Sequence, residues 1–135
     1  MNQKAKDTLS SYKKADYKAG FILGIKPAVA GIATGVISLL ALRFGHIDMP
    51  LLKALPIIAG AATAHVIAKQ KFGHPVEEIL GNVRLMGAEF RSVGIRKDEH
   101  PILARDCFRR VYQTTLTTAA GLAGIATAAA DALWK

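Results

Sequence analysis

The segment FILGIKPAVAGIATGVISLLALRF, residues 21–44, decides the fold class of this chain, because it carries no charged residue between Pro27 and Leu42. Counted from Phe21, a helix over this segment is long enough to cross the hydrocarbon core of a bilayer, which needs about 20 apolar residues. Lys26 lies one or two turns from its end, where a lysine side chain can extend its ammonium group to the lipid headgroups. The segment therefore predicts a first transmembrane helix, which Pro27 either bends or starts afresh.

Two further apolar runs follow, PLLKALPIIAGAATAHVIA at residues 50–68 and TTLTTAAGLAGIATAAADALW at residues 114–134. The short connection 45–49 predicts that the first two helices are antiparallel neighbours, and Pro56 predicts a kink in the second. The third run is rich in alanine and threonine, so it is either a third span or a helix covered by protein. The fold class predicted is an all-α integral membrane bundle of three transmembrane helices in one domain, residues 1–135.

The polar connection at residues 69–113 also predicts helices. Pro75 fits a first helical position and Gly94 a helix end. Between them, apolar residues recur at helical spacing: Val76, Ile79, Leu80, Val83, Met86, Phe90 and Val93. The apolar face of this amphipathic helix must be shielded from water. The membrane surface, a partner protein and the helix that begins near Pro101 could each cover it. That last helix can continue without a break into the third apolar run.

The formal net charge of +8 is concentrated beside the apolar runs. The basic N-terminal segment, residues 1–19, and the 69–113 connection hold most of the lysine and arginine. Because such residues favour the cytoplasmic face, the N-terminus and the connection are predicted there, against anionic lipid headgroups. The predicted location is a bacterial inner membrane or a plasma membrane. Charge that flanks apolar runs argues against a nucleic-acid partner, which would require a basic patch on a water-exposed fold.

Small residues at four-residue spacing predict close helix packing, since they let helix backbones approach one another in lipid. The alternative is that glycine is simply common in membrane helices. The predicted packing residues are Gly31, Gly35, Gly60, Ala64, Gly124 and Ala128.

Catalytic and cofactor signatures are missing from the sequence, which has no HExxH, GxxxxGK[ST], GxSxG or CxxC pattern. His65 is a candidate functional residue, because an ionisable group inside a membrane is costly and therefore often functional. Cys107 is interpreted as an apolar filler. The sequence predicts no metal, no cofactor and no enzymatic activity.

The leading hypothesis for function is a structural subunit of a membrane complex, or a homo-oligomer, held together by Gly/Ala helix packing. Its partners would be the bilayer and other membrane subunits or further copies of the chain. One alternative is a membrane-permeabilising protein of the holin or secreted-effector kind, for which a small basic helical hairpin is suited. Another is a soluble or peripheral helical bundle that only binds membranes.

Overall fold

The computed structural model of the protein describes residues 2–46, 50–72 and 75–134, and for residues 50, 51, 75–79 and 83 it describes the backbone alone. These ranges form four helices: α1 (Gln3–Phe44), α2 (Leu55–Gln70), α3 (Pro75–Ser92) and α4 (His100–Trp134). Short 3-10 helices occupy Pro50–Ala54 and Lys97–Glu99, and the described ranges contain no strand. The all-α prediction is confirmed. Residues 47–49 of the predicted first turn lie outside the described residues.

Three segments are long and apolar enough to cross a membrane, judged by length and composition: α1, residues 52–70, and residues 97–134, which include α4. α1 has 42 residues and is therefore about 63 Å long, so it includes both the basic N-terminal segment and the first apolar run. Pro27 lies inside this helix and does not end it. The basic N-terminus thus forms the first turns of the first apolar helix.

α1 and α4 run parallel and side by side, while α2 is antiparallel to both. Gly20 packs against Thr114, and Gly35, farther along α1, packs against Thr127. We call residues 20–44, α2 and residues 114–134 the apolar half, and residues 3–19, α3 and residues 100–113 the polar half. α2 is the third helix of the apolar half. α3 takes the corresponding place in the polar half, packed mainly on α4.

α3 ends in a glycine cap that fixes how the chain turns into α4. Gly94 has a φ of 85°, a backbone conformation that costs glycine little. The Ile95 amide then donates to the Phe90 carbonyl oxygen at 2.9 Å, as in a Schellman cap, and both side chains are buried together. The helix end predicted at Gly94 is therefore present. α4 begins at His100 and continues unbroken through the third apolar run, as the sequence allowed.

The kink predicted at Pro56 is absent. The chain from Pro50 to Ala54 is a 3-10 helix, and α2 begins at Leu55, which places Pro56 in its first turn. A proline is well accommodated there, because the amides of a first helical turn have no intrahelical acceptor. Pro56 therefore lies in the first turn of α2 and does not bend the helix.

Candidate functional sites

Small residues bring the three helices of the apolar half into backbone contact at Gly31. A methyl group added at Gly31 would lie 2.6 Å from Ala64 Cβ of α2 and 2.8 Å from Ala123 Cβ of α4. One added at Gly60 would lie 2.8 Å from the Gly31 carbonyl oxygen. Side-chain carbons do not approach other atoms this closely, so both positions require glycine. The structure thus brings three of the predicted packing residues, Gly31, Gly60 and Ala64, together within one chain.

Gly35 faces both neighbouring helices. A methyl group added there would lie 2.9 Å from Thr127 Cγ2 and 3.1 Å from the Pro56 carbonyl oxygen. The Thr127 side chain is fully buried, and its hydroxyl donates to the Ala123 carbonyl oxygen at 2.8 Å within α4. Because that bond satisfies the hydroxyl inside its own helix, threonine can serve as a small residue of the core.

Gly124 and Ala128 lie beside this core. The face that α4 buries in the apolar half consists of Thr115, Ala119, Ala123 and Thr127, one position before the predicted stripe. Gly124 is half-buried, and a methyl group there would make an ordinary contact of 3.7 Å with Ile57 Cγ2. Ala128 is exposed. Alanine is frequent on both faces of α4, so its spacing did not indicate which face is buried.

His65 points outward from α2. Its neighbour Ala64 is fully buried, whereas His65 is exposed and makes no hydrogen bond or ion pair with the part of the chain that the structure describes. Among the described side chains, none orients the His65 imidazole for proton transfer, which general acid–base catalysis requires.

An ion pair joins α1 and α4 at the far end of the apolar half. Arg43 Nη2 lies 2.8 Å from Asp131 Oδ1 and 3.3 Å from the Asp131 carbonyl oxygen. The guanidinium carbon also lies 6.0 Å from the ring centre of Trp134, within the range of a cation–π contact. Asp131 is thereby neutralised where the apolar helix ends.

A second ion pair joins the same two helices inside the polar half. Arg110 Nε donates to Asp16 Oδ2 at 3.0 Å, with the two side chains 26% and 13% exposed. Arg110 Nη2 also approaches Cys107 Sγ at 3.4 Å. Burial, and secondarily the Asp16 carboxylate, raises the pKa of the Cys107 thiol to about 11. The thiol is therefore neutral at physiological pH and a poor nucleophile, which agrees with its interpretation as an apolar filler.

Tyr12 connects α1 to α3 through its hydroxyl, which donates to Glu89 Oε2. Its ring packs edge-on against Phe90, with the ring centres 5.6 Å apart. Burial, and then the bond to Glu89, raises the pKa of Tyr12 to about 12. The C-terminal part of the amphipathic stripe, Met86, Phe90 and Val93, is therefore covered by helices of its own chain, whereas Leu80 is 54% exposed.

An open cavity of about 550 Å³ lies between α1, α3 and α4, beside the Asp16–Arg110 pair. Its walls are mostly apolar, with Leu85, Met86 and Phe108 among them. The Asp16 carboxylate on its wall is already bound by Arg110, so it is not available as a general base. Within the described residues, no three histidine, cysteine or acidic side chains are placed to hold a metal ion.

The two interhelical ion pairs were not predicted from the sequence. Their partners are 88 and 94 positions apart, and a charge at the edge of an apolar run is equally compatible with solvent.

Comparisons with protein-family models, with curated proteins and with solved structures find no match for the chain.

Proposed function

We propose that this chain is a non-enzymatic integral membrane protein that serves as a structural subunit of a membrane complex. One observation carries the proposal: in the apolar half, the small side chains lie inside and the large apolar side chains outside. Val29, Ile37, Ile58 and Ile125 are between 60 and 71% exposed. A fold stabilised in water places such residues in its core, and this many large apolar side chains exposed on all three helices favour a lipid or protein cover.

The small residues buried in the core of the apolar half also support a lipid cover for its outer surface. Ala64, Ala68, Ala119 and Ala123 are fully buried, yet burying alanines removes little apolar area from water compared with burying leucine or phenylalanine. Close backbone packing through small residues is how helices associate in lipid, where the hydrophobic effect does not drive them together. The glycine contacts are therefore best explained as the packing of this chain's own spans.

A structural role is supported by the continuity of α1 and α4. Each runs as one helix from the apolar half into the polar half, and the Asp16–Arg110 pair and Tyr12 link the helices beyond the apolar segment. The polar half would thus be held at a fixed height and orientation at one membrane face. Its excess of lysine and arginine favours the cytoplasmic face and contact with anionic headgroups.

Gly31, Gly35 and Gly60 already pack against other helices of the same chain. The surfaces left for partners are therefore the outer faces of the spans and the polar half. We infer that neighbouring membrane subunits pack on these outer faces. In the polar half, Arg110 bonds to both Asp16 and Cys107, and the Cys107 thiol is not activated as a nucleophile.

Alkaline carbonate extraction followed by native electrophoresis tests the proposal. We expect tagged full-length protein, produced in its native host, to stay in the carbonate-washed membrane. After mild detergent extraction it should migrate as a complex larger than the monomer in its micelle. Purified protein reconstituted into dye-loaded liposomes should retain the dye.

Each alternative predicts a different result. Recovery in the carbonate supernatant would mean a peripheral bundle. Release of dye from the liposomes would mean a permeabilising protein. A monomer in the mild extract would contradict the subunit role even if the chain is integral.

A further inference from the structure

A basic groove runs between α3 and the start of α4, at the end of the polar half farthest from the apolar half. It has a volume of about 420 Å³ and is lined by Arg84, Gly87, Arg91, Lys97, His100 and Pro101. Arg84, Gly87 and Arg91 are three and four residues apart, so they share one face of α3. Three cationic side chains thus converge on one concave surface.

In the part of the chain whose side chains are described, no neighbouring carboxylate neutralises these cations. Among the described residues, Arg84, Arg91 and Lys97 form no ion pair, whereas the adjacent Arg96 is paired with both Asp98 and Glu99. Arg91 Nε donates to the Gly87 carbonyl oxygen at 3.3 Å, which holds the guanidinium beside the groove and leaves its remaining N–H groups to bind a ligand.

A buried histidine adds an oriented ring nitrogen to the groove. His100 is only 4% exposed, and its Nε2 lies 3.2 Å from the Ile95 carbonyl oxygen. A carbonyl oxygen only accepts hydrogen bonds, so Nε2 carries a hydrogen and Nδ1 is the second polar atom of the ring. Nδ1 faces α3 at Gly87, where a Cβ would lie 3.8 Å from it. The missing side chain at Gly87 leaves this part of the groove open.

We propose that this groove binds a phosphate group, either free phosphate or a soluble phosphomonoester. Arginine N–H groups match the oxygens of a phosphate in pairs, and Lys97 adds a further positive charge. The positive end of the α4 dipole, at His100 and Pro101, favours an anion in the same place. With its hydrogen on Nε2, the His100 imidazole is positioned to accept a hydrogen bond from a phosphate hydroxyl through Nδ1.

The position of the groove favours a soluble ligand over a lipid headgroup. From His100 to the start of the apolar run at Thr114, α4 rises about 21 Å. If the apolar half is embedded as proposed, headgroups bordering it are too far away to enter the groove. A lipid phosphate would therefore have to come from a second membrane.

Phosphate titration by ³¹P NMR, on full-length protein in nanodiscs at constant ionic strength, tests the site. The double variant Arg84→Gln/Arg91→Gln should weaken binding about tenfold or more, because it removes two charge-assisted contacts. The matched control is Arg105→Gln/Arg109→Gln, which removes the same charge from exposed positions of α4 outside the groove. The control should change binding less than about twofold, as expected for screened surface charges.

A third variant, Gly87→Leu, fills the groove without changing the charge. A Cβ at this position meets no atom closer than 3.8 Å, so the fold should be kept, and replacing a helical glycine favours the helix. Phosphate binding should be lost while the melting temperature is unchanged or higher. That combination separates a defined site from general attraction to a basic domain.

Three results would overturn the proposal. If the parent protein shows no saturable phosphate binding, the proposed site does not exist. Equal weakening by the two arginine pairs would show general electrostatics. Nanodiscs of neutral and of anionic lipid should give the same phosphate affinity, and competition by the anionic nanodiscs would assign the groove to lipid headgroups.

Discussion

Lys71 donates a hydrogen bond from Nζ to the carbonyl oxygen of Leu23, at 3.4 Å. In an uninterrupted helix this carbonyl would accept from the amide of residue 27, four positions later, but Pro27 has no amide hydrogen. Lys71 is the C-terminal cap residue of α2, so the end of one helix supplies the donor that is missing in another. This contact helps to explain how α1 continues through an interior proline.

Replacing Lys71 should therefore cost more in the parent than in a Pro27→Ala background. In the parent, Lys71→Met leaves the Leu23 carbonyl without its donor, and we expect a loss of about 1 kcal/mol. In Pro27→Ala the new amide bonds to Leu23, so the same replacement should cost little. Thermal unfolding of all four proteins in detergent measures the coupling. An equal cost in both backgrounds would rule out this compensating role.

Gly31→Ile should destabilise the apolar half by about 3 kcal/mol, because the added side chain must separate α1 from both α2 and α4. Membrane insertion should be kept, since the change makes the segment more apolar. The matched control is Gly121→Ile on α4, where an added Cβ meets nothing within 4 Å. We would measure carbonate resistance together with thermal unfolding in detergent. Melting temperatures that fall equally for the two variants would contradict a packing role for Gly31.

Arg43→Gln should lower stability by about 1 kcal/mol, because it leaves Asp131 unpaired beside the apolar surface. Exchanging the two charges, Arg43→Asp with Asp131→Arg, should recover part of that loss. Lys26→Gln removes a positive charge from an exposed position of the same helix and should have little effect. Thermal unfolding in detergent at low and high salt compares the three. If the exchanged pair is less stable than Arg43→Gln, the interaction is not chiefly electrostatic.

Cys107 should resist iodoacetamide at neutral pH in the native protein. The reagent attacks the thiolate, and a thiol whose pKa is raised from 9.0 to about 11 stays protonated until the pH rises well above 9. Alkylation followed by mass spectrometry from neutral to alkaline pH measures the rate. The same protein unfolded in SDS should react at the lower pH that is typical of an exposed cysteine. Rapid native alkylation at neutral pH would show that the thiol is accessible.

Residues 82 and 134 should be labelled from opposite sides of the membrane. Asn82 lies in the polar half and Trp134 at the far end of α4, beyond the third apolar run. Single cysteines introduced as Asn82→Cys or Trp134→Cys in a Cys107→Ser background can be probed with an impermeant maleimide on sealed vesicles. Labelling of both from one side would mean that the third run does not cross.

Much of the architecture follows from composition and periodicity. The uncharged run after Pro27, the helix begun by Pro75 and the end marked by Gly94 each depend on local chemistry, namely hydropathy, a missing amide hydrogen and a positive φ. Such features act within a few residues of one another, so they can be predicted without the fold. The pairing of Gly31 with Gly60 could also be anticipated, because a short turn makes adjacent helices antiparallel.

Two features of α4 are decided only by the tertiary structure: which of its faces is buried, and which residues its charged side chains contact. Ala119 and Ala120 are equally small, and which of the two is buried with Ala64 and Ala68 of α2 is determined by the rotation of α4 against two other helices. Arg110 contacts Asp16, and Lys71 contacts Leu23, only because α1 and α4 run parallel and side by side while α2 packs antiparallel against both. Contacts across such distances depend on the relative position of whole helices, which no local pattern specifies.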